Sequence, residues 1–313
     1  MAFIVGLIAT TLVVPLMIRV SPKLGLVDHP GSDPLKIHQL AVPRSGGLAV
    51  AVGLASSMFV VRPSVGWIVG AVGALGLGIV DDRAGLSPRF RFFAEVVVAA
   101  ATSILLTGTE DWLRVALGVI VIVVAINAAN LFDGLDGLFP GAGFLTAIGL
   151  ALLLAGSARL WMWALAGCLA GFLVYNRPPA RIFLGDSGAY LVGVTLGVGL
   201  LELSSSPSRF LGGMVAFGLI GVDFVVTLLR RWRKRHPLFT GDRSHLYDQM
   251  LDRGWPVWPL LLMAWGVQAG LVGMGLLFAE LGPVLAATAA AVTFAVTMYV
   301  LWRLGFFNPQ TTS

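Results

Sequence analysis

The sequence predicts an all-α integral membrane protein, on the basis of its composition, its long apolar runs and the placement of its basic residues. Of the 313 residues, 57% are hydrophobic and 12% are charged, and the mean hydropathy is +0.89. A soluble domain contains about twice that share of charged residues. Because one globular core cannot bury such an excess of apolar side chains, a lipid bilayer is the expected solvent.

Apolar runs long enough to cross a bilayer as helices occur eleven times, so about eleven transmembrane helices are predicted, with ten as the alternative count. The runs cover residues 2–20, 46–62, 64–80, 91–107, 113–131, 140–157, 159–175, 186–203, 209–229, 256–279 and 281–304. Residues 1–10 contain no charged side chain, unlike the basic start of a cleavable signal peptide, so the first run is expected to be retained. Because no internal repeat or low-complexity linker is visible, residues 1–313 are predicted to form a single domain.

The Lys and Arg residues predict the orientation. With the N-terminus outside and the runs alternating, 17 of the 21 Lys and Arg residues fall on the inner side, as the positive-inside rule requires. The same orientation places five polar segments on the inner face. These are residues 28–47, 81–91, 127–137, 176–188 and 230–254. The sequence therefore predicts a polar site on the cytoplasmic face.

Two function classes are disfavoured by composition. The net charge of +5 arises from basic residues in short loops, which is typical of topology signals and lipid contacts and does not indicate nucleic-acid binding. The single cysteine, Cys168, lies inside an apolar run, so neither a disulfide framework nor a thiolate metal site is expected.

Asp81 and Asp82 end the third apolar run. Adjacent carboxylates at a membrane edge repel each other and are costly to desolvate. A divalent cation relieves both problems, because Mg²⁺ binds through one or two carboxylates together with substrate phosphates. A solvated helix end is the alternative interpretation of this pair alone.

Asp133 and Asp136 follow the fifth run, in NAANLFDGLDGL. Their spacing of three would place both on one face of a helical turn, and Asn127 and Asn130 repeat it with amide groups. A plain turn is the alternative, but the flanking Asn and Gly residues favour a Mg²⁺ or nucleotide site.

The segment Asn176–Gly188 contains two prolines, which prevent the seventh helix from continuing. Gly185 to Gly188 then begin the eighth run. The N-terminus of that helix is expected either to be capped by Asp186 or to face a phosphate.

The inner segment from Arg230 to His245 is strongly basic, as anionic-lipid contacts are. Within it, Arg243 and His245 could grip a pyrophosphate, although a solvated histidine is the commoner case. Asp223 and Glu95 lie inside apolar runs, where an ionisable side chain is a functional hypothesis by default.

Lys36, His38 and Arg44 precede the glycine pair Gly46–Gly47, which permits close backbone approach. Alone, this pattern is a weak indication of phosphate contact.

In this order, the segments resemble the polyprenyl-phosphate N-acetylhexosamine-1-phosphate transferase superfamily (glycosyltransferase family 4), in its undecaprenyl-phosphate GlcNAc-1-phosphate transferase-like branch. The matching blocks are PRSGG, VDDRAGLSP, NAANLFDGLDGL, NRPPARIFLGDSG and the basic loop with DRSH. The family includes enzymes that begin peptidoglycan lipid, O-antigen, teichoic acid and arabinogalactan synthesis. The resemblance implies ten or eleven transmembrane helices in the plasma membrane, a cytoplasmic active site and compatibility with a homodimer. It also implies Mg²⁺-dependent transfer of an N-acetylhexosamine-1-phosphate from a UDP-sugar to undecaprenyl or decaprenyl phosphate, releasing UMP, with Mn²⁺ as the alternative metal.

The resemblance also implies residue roles. Asp81, Asp82 and Asp186 match the catalytic and Mg²⁺-binding carboxylates, and we expect Asp82 and Asp186 at the metal and Asp81 at the lipid phosphate. The remaining expected catalytic residues are Asp133, Asp136 and His245. The expected substrate-binding residues are Lys36, His38, Arg44, Asn127, Asn130, Asn176, Phe183 and Arg243, of which Asn176 and Phe183 match the uridine end.

Two departures from the family pattern concern sugar recognition. Many members have an HxHH cluster where this chain reads His245-Leu-Tyr-Asp248, and the muramoyl-pentapeptide branch has a TPTMGG-like block where this chain reads VPRSGG. The smaller-sugar branch is therefore favoured, with phospho-N-acetylmuramoyl-pentapeptide transferase as the alternative.

Two further alternatives come from other classes. A secondary transporter would bind near the bilayer midplane and show repeated halves, which are not visible here. A prenyltransferase with two aspartate-rich motifs would leave NRPPARIFLGDSG and the basic loop without a role.

Overall fold

The computed structural model describes residues 1–30, 40–235 and 245–307. In this part of the chain, thirteen α-helices are joined by short loops. They are α1 (Ala2–Leu24), α2 (Gly46–Ser57), α3 (Val65–Ala84), α4 (Pro88–Thr107), α5 (Trp112–Phe132), α6 (Leu138–Leu153), α7 (Gly156–Asn176), α8 (Gly185–Glu202), α9 (Pro207–Ala216), α10 (Gly218–Arg233), α11 (Leu246–Asp252), α12 (Val257–Ala279) and α13 (Pro283–Arg303). A short 3₁₀ turn, Leu203–Ser205, follows α8, and β1 (Val27–Asp28) pairs antiparallel with β2 (Val42–Pro43).

Each of the eleven predicted apolar runs coincides with a helix or, in one case, with a pair of helices, so the all-α membrane architecture is confirmed. By length and composition, eight of the described helices can span a membrane, and α9 with α10 could make a ninth. The apolar helices α2 and α6 have 12 and 16 residues. A 12-residue helix is only about 18 Å long, against a hydrocarbon core of about 30 Å. The count of eleven crossings, like the orientation, therefore stays a prediction.

The predicted continuous helix over residues 209–229 is wrong, because α9 and α10 meet at Phe217 and their axes differ by 74°. The buried side chain of Gln268, on α12, satisfies backbone groups on both sides of this break. Its Nε2 donates to the Ala216 carbonyl (2.6 Å), and its Oε1 accepts from the Leu219 N–H (3.1 Å). A broken helix is tolerated at membrane depth where a neighbouring helix replaces the missing hydrogen bonds.

Helix α8 lies at the centre of the bundle, and every one of its residues from Ser187 to Leu201 is buried. It packs against α3 and α5, while α1 packs against α7 and α2. Close packing depends on small residues, since a Cβ at Gly193 would lie 2.7 Å from the Ile126 Cα atom of α5. At the periphery, α13 is only 6% buried and exposes an apolar surface, as expected of a helix in contact with lipid.

The loop before α2 is joined to the loop before α8 by backbone hydrogen bonds. Phe183 N–H donates to the Pro43 carbonyl (2.7 Å), and Gly46 N–H donates to the Phe183 carbonyl (3.0 Å). A Cβ at Gly47 would meet the Gly188 backbone nitrogen at 2.3 Å, so only glycine permits this contact. The Gly-Gly pair thus serves helix packing, and it fixes Arg44 beside the start of α8.

Candidate active site

A cleft of about 780 Å³ brings together residues from four of the five predicted inner-face segments. This volume is in the range of small-molecule sites. The cleft is lined by Asp28, Leu40, Val42, Arg44, Asp82, Asn130, Asp133, Gly134, Leu135, Asp136, Asn176, Pro178, Pro179, Ala180, Phe183, Leu184, Gly185, Asp186, Val257 and Trp258. Segments distant in sequence therefore converge on one cleft that contains five aspartates.

Asp82 caps the N-terminus of α8 from a neighbouring helix. Its Oδ1 accepts from the Asp186 N–H (3.0 Å) and its Oδ2 from the Ser187 N–H (3.0 Å). Arg44 adds Nε at 3.0 Å and Nη2 at 2.8 Å from Oδ1. The carboxylate has no solvent exposure. The helix N-terminus, for which we expected Asp186 or a phosphate, is thus occupied by the carboxylate of Asp82.

Asp186 is the more open of the two expected metal ligands. Its side chain is 29% exposed, and its Oδ2 lies 3.7 Å from Arg44 Nη2. Arg44 therefore stands between the two carboxylates, bound closely to Asp82 and loosely to Asp186.

Asp133 and Asp136 line the cleft from the loop that follows α5. Asp136 Oδ2 accepts from the Ala180 N–H (2.8 Å), which ties this loop to the segment before α8. The pKa of the Asp133 carboxyl is raised well above its usual value, first by burial in the cleft wall and then by the charges of Asp186, Asp136 and Asp82. The cleft therefore concentrates negative charge that favours a bound cation.

Of the eight residues expected at the substrate, Arg44, Asn130 and Phe183 line the cleft. Asn176 also borders it, but its amide is committed to the backbone. Its Oδ1 accepts from Gly137 N–H (2.9 Å), and its Nδ2 donates to the Ile182 carbonyl (2.9 Å). Asn176 thus braces the Asp133–Asp136 loop against the segment before α8.

Asp81 points away from Asp82, so the two do not form the paired site that their adjacency suggested. Its Oδ1 accepts from the Leu86 N–H (2.8 Å), and its Oδ2 accepts from the Tyr190 hydroxyl (2.6 Å). Arg91 Nη1 lies 3.5 Å from the same Oδ2. Sequence reasoning missed Tyr190 and Arg91, although Tyr190 follows Asp186 by four residues and so shares its helix face.

Asn127 likewise does not line the cleft with Asn130. Its Nδ2 donates to the Glu95 carboxylate and to the Val123 carbonyl. Arg91 Nε lies 3.8 Å from Glu95. Glu95, the acid in α4 for which a function was expected, is therefore a partner of Asn127. It is linked to Asp81 through Arg91.

His245 does not line the cleft and is instead the partner of Asp223, the acid inside α10. Its Nδ1 is 2.8 Å from Asp223 Oδ2, and the Leu246 N–H donates to Asp223 Oδ1 (2.9 Å). The His245 ring stacks on the ring of Tyr247. A Cβ atom added to Gly134 would lie only 1.8 Å from the Tyr247 hydroxyl oxygen, so Tyr247 packs directly against Gly134. The His245 segment is thereby packed against the aspartate loop. Lys36, His38 and Arg243 lie outside the described residues.

The cleft fits a magnesium ion shared with phosphates better than a closed metal cage. Within residues 1–30, 40–235 and 245–307, no group of three or more His, Cys, Asp or Glu side chains is arranged to hold a metal. Mg²⁺ commonly takes one or two carboxylates and completes its shell with phosphates and water. The Asp186 and Asp133 carboxylates face the cleft and supply such oxygens. Asp82 could join them only by giving up Arg44.

Comparison with known proteins agrees with this arrangement. Residues 64–204 match the model of glycosyl transferase family 4. The chain is 31% identical to a probable undecaprenyl-phosphate N-acetylglucosaminyl 1-phosphate transferase of Bacillus subtilis (strain 168), covering 81% of this chain and 77% of that protein. It is 28% identical to the decaprenyl-phosphate N-acetylglucosaminephosphotransferase of Mycobacterium tuberculosis (strain CDC 1551 / Oshkosh), covering 74% and 70%. An undecaprenyl-phosphate alpha-N-acetylglucosaminyl 1-phosphate transferase of Escherichia coli O157:H7 is 28% identical, with 78% and 74% covered.

The match spans most of both chains, and the matched family region contains Asp81, Asp82, Asp133, Asp136 and Asp186. The transporter and prenyltransferase alternatives have no support in these similarities. The chain belongs to glycosyl transferase family 4, in the branch of polyprenyl-phosphate N-acetylglucosamine-1-phosphate transferases.

Proposed function

We propose that the protein transfers N-acetylglucosamine-1-phosphate from UDP-N-acetylglucosamine to a polyprenyl phosphate, yielding polyprenyl-diphosphate-N-acetylglucosamine and UMP. The observation on which this rests is the cleft, which is lined by aspartates from four separate segments together with Arg44. The names of the relatives supply the lipid and the sugar. The undecaprenyl and decaprenyl acceptors are both represented among them, so either length is a candidate.

In the proposed reaction, an oxygen of the lipid phosphate attacks the β-phosphorus of the UDP-sugar. The bond from that phosphorus to the bridging oxygen breaks, and UMP leaves with the bridging oxygen. Three phosphates must approach one another, so the main task of the protein is to position them and to offset their charge. When bound, Mg²⁺ (or Mn²⁺) would supply charge neutralisation and orientation of the phosphate oxygens.

The residues of the donor side have distinct proposed tasks. Asp186 and Asp133 would hold the cation, and Asp82 would help by fixing the backbone of Asp186 through its hydrogen bond to the Asp186 N–H. Arg44 is placed to exchange its loose contact with Asp186 for a bidentate grip on the pyrophosphate. Asn130 and Phe183 are proposed at the uridine end, with Asp136 holding that wall in place.

The acceptor side is assigned to Asp81, which would orient the lipid phosphate or take its proton. His245 is proposed to support the aspartate loop through Tyr247, and Arg243 is proposed to bind the pyrophosphate. Since a lipid phosphate and a soluble nucleotide meet only at the headgroup level, the site is proposed to lie at the cytoplasmic face of the plasma membrane.

The test is UMP release by purified protein supplied with Mg²⁺, undecaprenyl phosphate and one UDP-N-acetylhexosamine at a time. UMP should form with UDP-N-acetylglucosamine, should require both lipid and metal, and should fall by at least about a hundredfold in Asp186→Asn. The matched control, Asp252→Asn, changes an aspartate on α11, outside the cleft lining. UMP release from UDP-N-acetylmuramoyl-pentapeptide instead would assign the protein to the phospho-N-acetylmuramoyl-pentapeptide transferases. Full activity of Asp186→Asn would show that the proposed active site is wrong.

A further inference from the structure

A buried cluster around Asp81 lies beside the cleft, outside the residues that line it. Asp81 sits at the end of α3, and Tyr190 comes from the second turn of α8. Both side chains are buried, and the Tyr190 hydroxyl donates to Asp81 Oδ2 at 2.6 Å. This is the short distance typical of a hydroxyl bound to a carboxylate.

The hydrogen bonds around Asp81 fix the orientation of its carboxylate. The N–H of Leu86, just after the end of α3, donates to Oδ1, and the hydroxyl of Tyr190, on α8, donates to Oδ2. Arg91 Nη1 lies 3.5 Å from Oδ2, a distance that allows charge attraction but is too long for a good hydrogen bond. Arg91 is also shared with Glu95. Without the phenol hydroxyl, the carboxylate could rotate about the single remaining N–H.

Tyr190 also links the two acids of the proposed reaction. Asp186 and Tyr190 are four residues apart on α8, so they lie on the same face of one rigid helix. Any movement of α8 would therefore displace Asp186 and, through the hydroxyl, Asp81 together.

We propose that Tyr190 is a positioning residue, which acts on the acceptor phosphate by holding Asp81 in one orientation relative to Asp186. The inference rests on the role proposed above for Asp81. A buried hydroxyl is costly unless it is hydrogen-bonded, and here its partner is one of the acids assigned to the reaction.

The test combines Tyr190→Phe, Asp81→Asn and the double variant, measured by steady-state kinetics and by thermal unfolding. Tyr190→Phe removes one oxygen and keeps the ring, so the core packing is retained. The matched control is Thr195→Val, which removes another buried hydroxyl of α8 that is bonded only to the Leu191 carbonyl of its own helix.

We expect Tyr190→Phe to lower kcat by about tenfold, or roughly 1.4 kcal/mol, while KM for the UDP-sugar stays within about twofold. Adding Tyr190→Phe to Asp81→Asn should cost nothing more, and Thr195→Val should keep wild-type kinetics. Should Tyr190→Phe not fold, Tyr190→His, which keeps a ring N–H donor, should retain more activity than Tyr190→Leu.

A wild-type kcat in folded Tyr190→Phe, or equal losses with and without Asp81, would overturn the inference. The unfolding temperatures test the positioning role of Tyr190 independently of the proposed function. If wild-type protein released no UMP, that function would fail. The coupling of Tyr190 to Asp81 in the unfolding cycle would still show whether the hydroxyl holds the carboxylate.

Discussion

Replacing Asp82 with asparagine tests whether this residue organises the start of α8. Asparagine keeps one acceptor oxygen and replaces the other by an NH₂ donor. Whichever way the amide turns, that donor faces an N–H, either Ser187 on one side or Asp186 and Arg44 on the other. The substitution therefore leaves an unpaired N–H and removes the charge that balances Arg44.

The magnitude follows from burial. Breaking a buried ion pair by removing one partner costs roughly 3–5 kcal/mol. Asp82 is fully buried, but Arg44 keeps 24% of its side chain exposed and can still reach water, so the low end applies. We expect Asp82→Asn to cost about 3 kcal/mol, which lowers Tm by roughly 5 °C in a protein of this size.

The assay is thermal unfolding in detergent without metal, beside the control Asp111→Asn. Asp111 caps α5 through a single exposed hydrogen bond to Arg114 N–H, and asparagine is an equally good cap, so its Tm should barely change. If Asp82→Asn unfolded at the wild-type temperature and lost only its response to Mg²⁺, Asp82 would be a metal ligand and the capping role would be refuted.

Three more predictions concern the aspartate loop and the broken helix. The raised pKa of Asp133 means that the folded protein binds this proton more tightly than the unfolded chain does, so stability is lost as pH rises through the folded-state pKa. In metal-free buffer, Tm should therefore fall less between pH 5 and pH 8 for Asp133→Asn than for wild type, and parallel curves would contradict this. Gln268→Leu leaves two backbone groups unpaired at the break and should cost about 3 kcal/mol in an unfolding titration, whereas Thr293→Val, which removes a bond within one helix, should cost under about 1. Gly134→Ala would force a Cβ against the Tyr247 hydroxyl and should lower kcat by about tenfold, with partial recovery when Tyr247→Leu is added. Wild-type activity of Gly134→Ala would show that the loop can move without consequence.

The helices and the composition of the site could be predicted from the sequence. Long apolar runs have few alternatives to helices in a bilayer, and all eleven runs are helical. Four of the five polar segments that the distribution of Lys and Arg predicted on one face meet in one cleft. The lengths of the apolar runs and the distribution of Lys and Arg were sufficient for these two predictions.

The direction of individual side chains could not be predicted. Adjacent residues on a helix point about 100° apart, so Asp81 and Asp82 had to face different neighbours, but the neighbours themselves come from tertiary packing. Asn127 and Asn130, three residues apart, point only about 60° apart on the helix, yet Asn127 faces Glu95 and Asn130 faces the cleft. The amide of Asn176 was expected at the uridine end and is bonded to two backbone segments.

The break after α9 was also beyond sequence reasoning. Phe217 lies in an ordinary apolar run, and the side chain that makes the break tolerable, Gln268, is on another helix. The partner of Asp223 is also far from it in sequence, since His245 comes after the basic segment. In each case, the ionisable or polar residue inside an apolar run was visible, but its partner was not.

The most direct test of the central claim follows the phosphorus. Purified protein would be incubated with Mg²⁺, undecaprenyl phosphate and UDP-N-acetylglucosamine labelled with ³²P at the β-phosphate. Sugar-phosphate transfer predicts that the label passes to the lipid phase while unlabelled UMP is released, and that both stop in Asp186→Asn. Label that stays in the aqueous phase as UDP, with the sugar on the lipid, would show transfer of the sugar alone and would contradict the account.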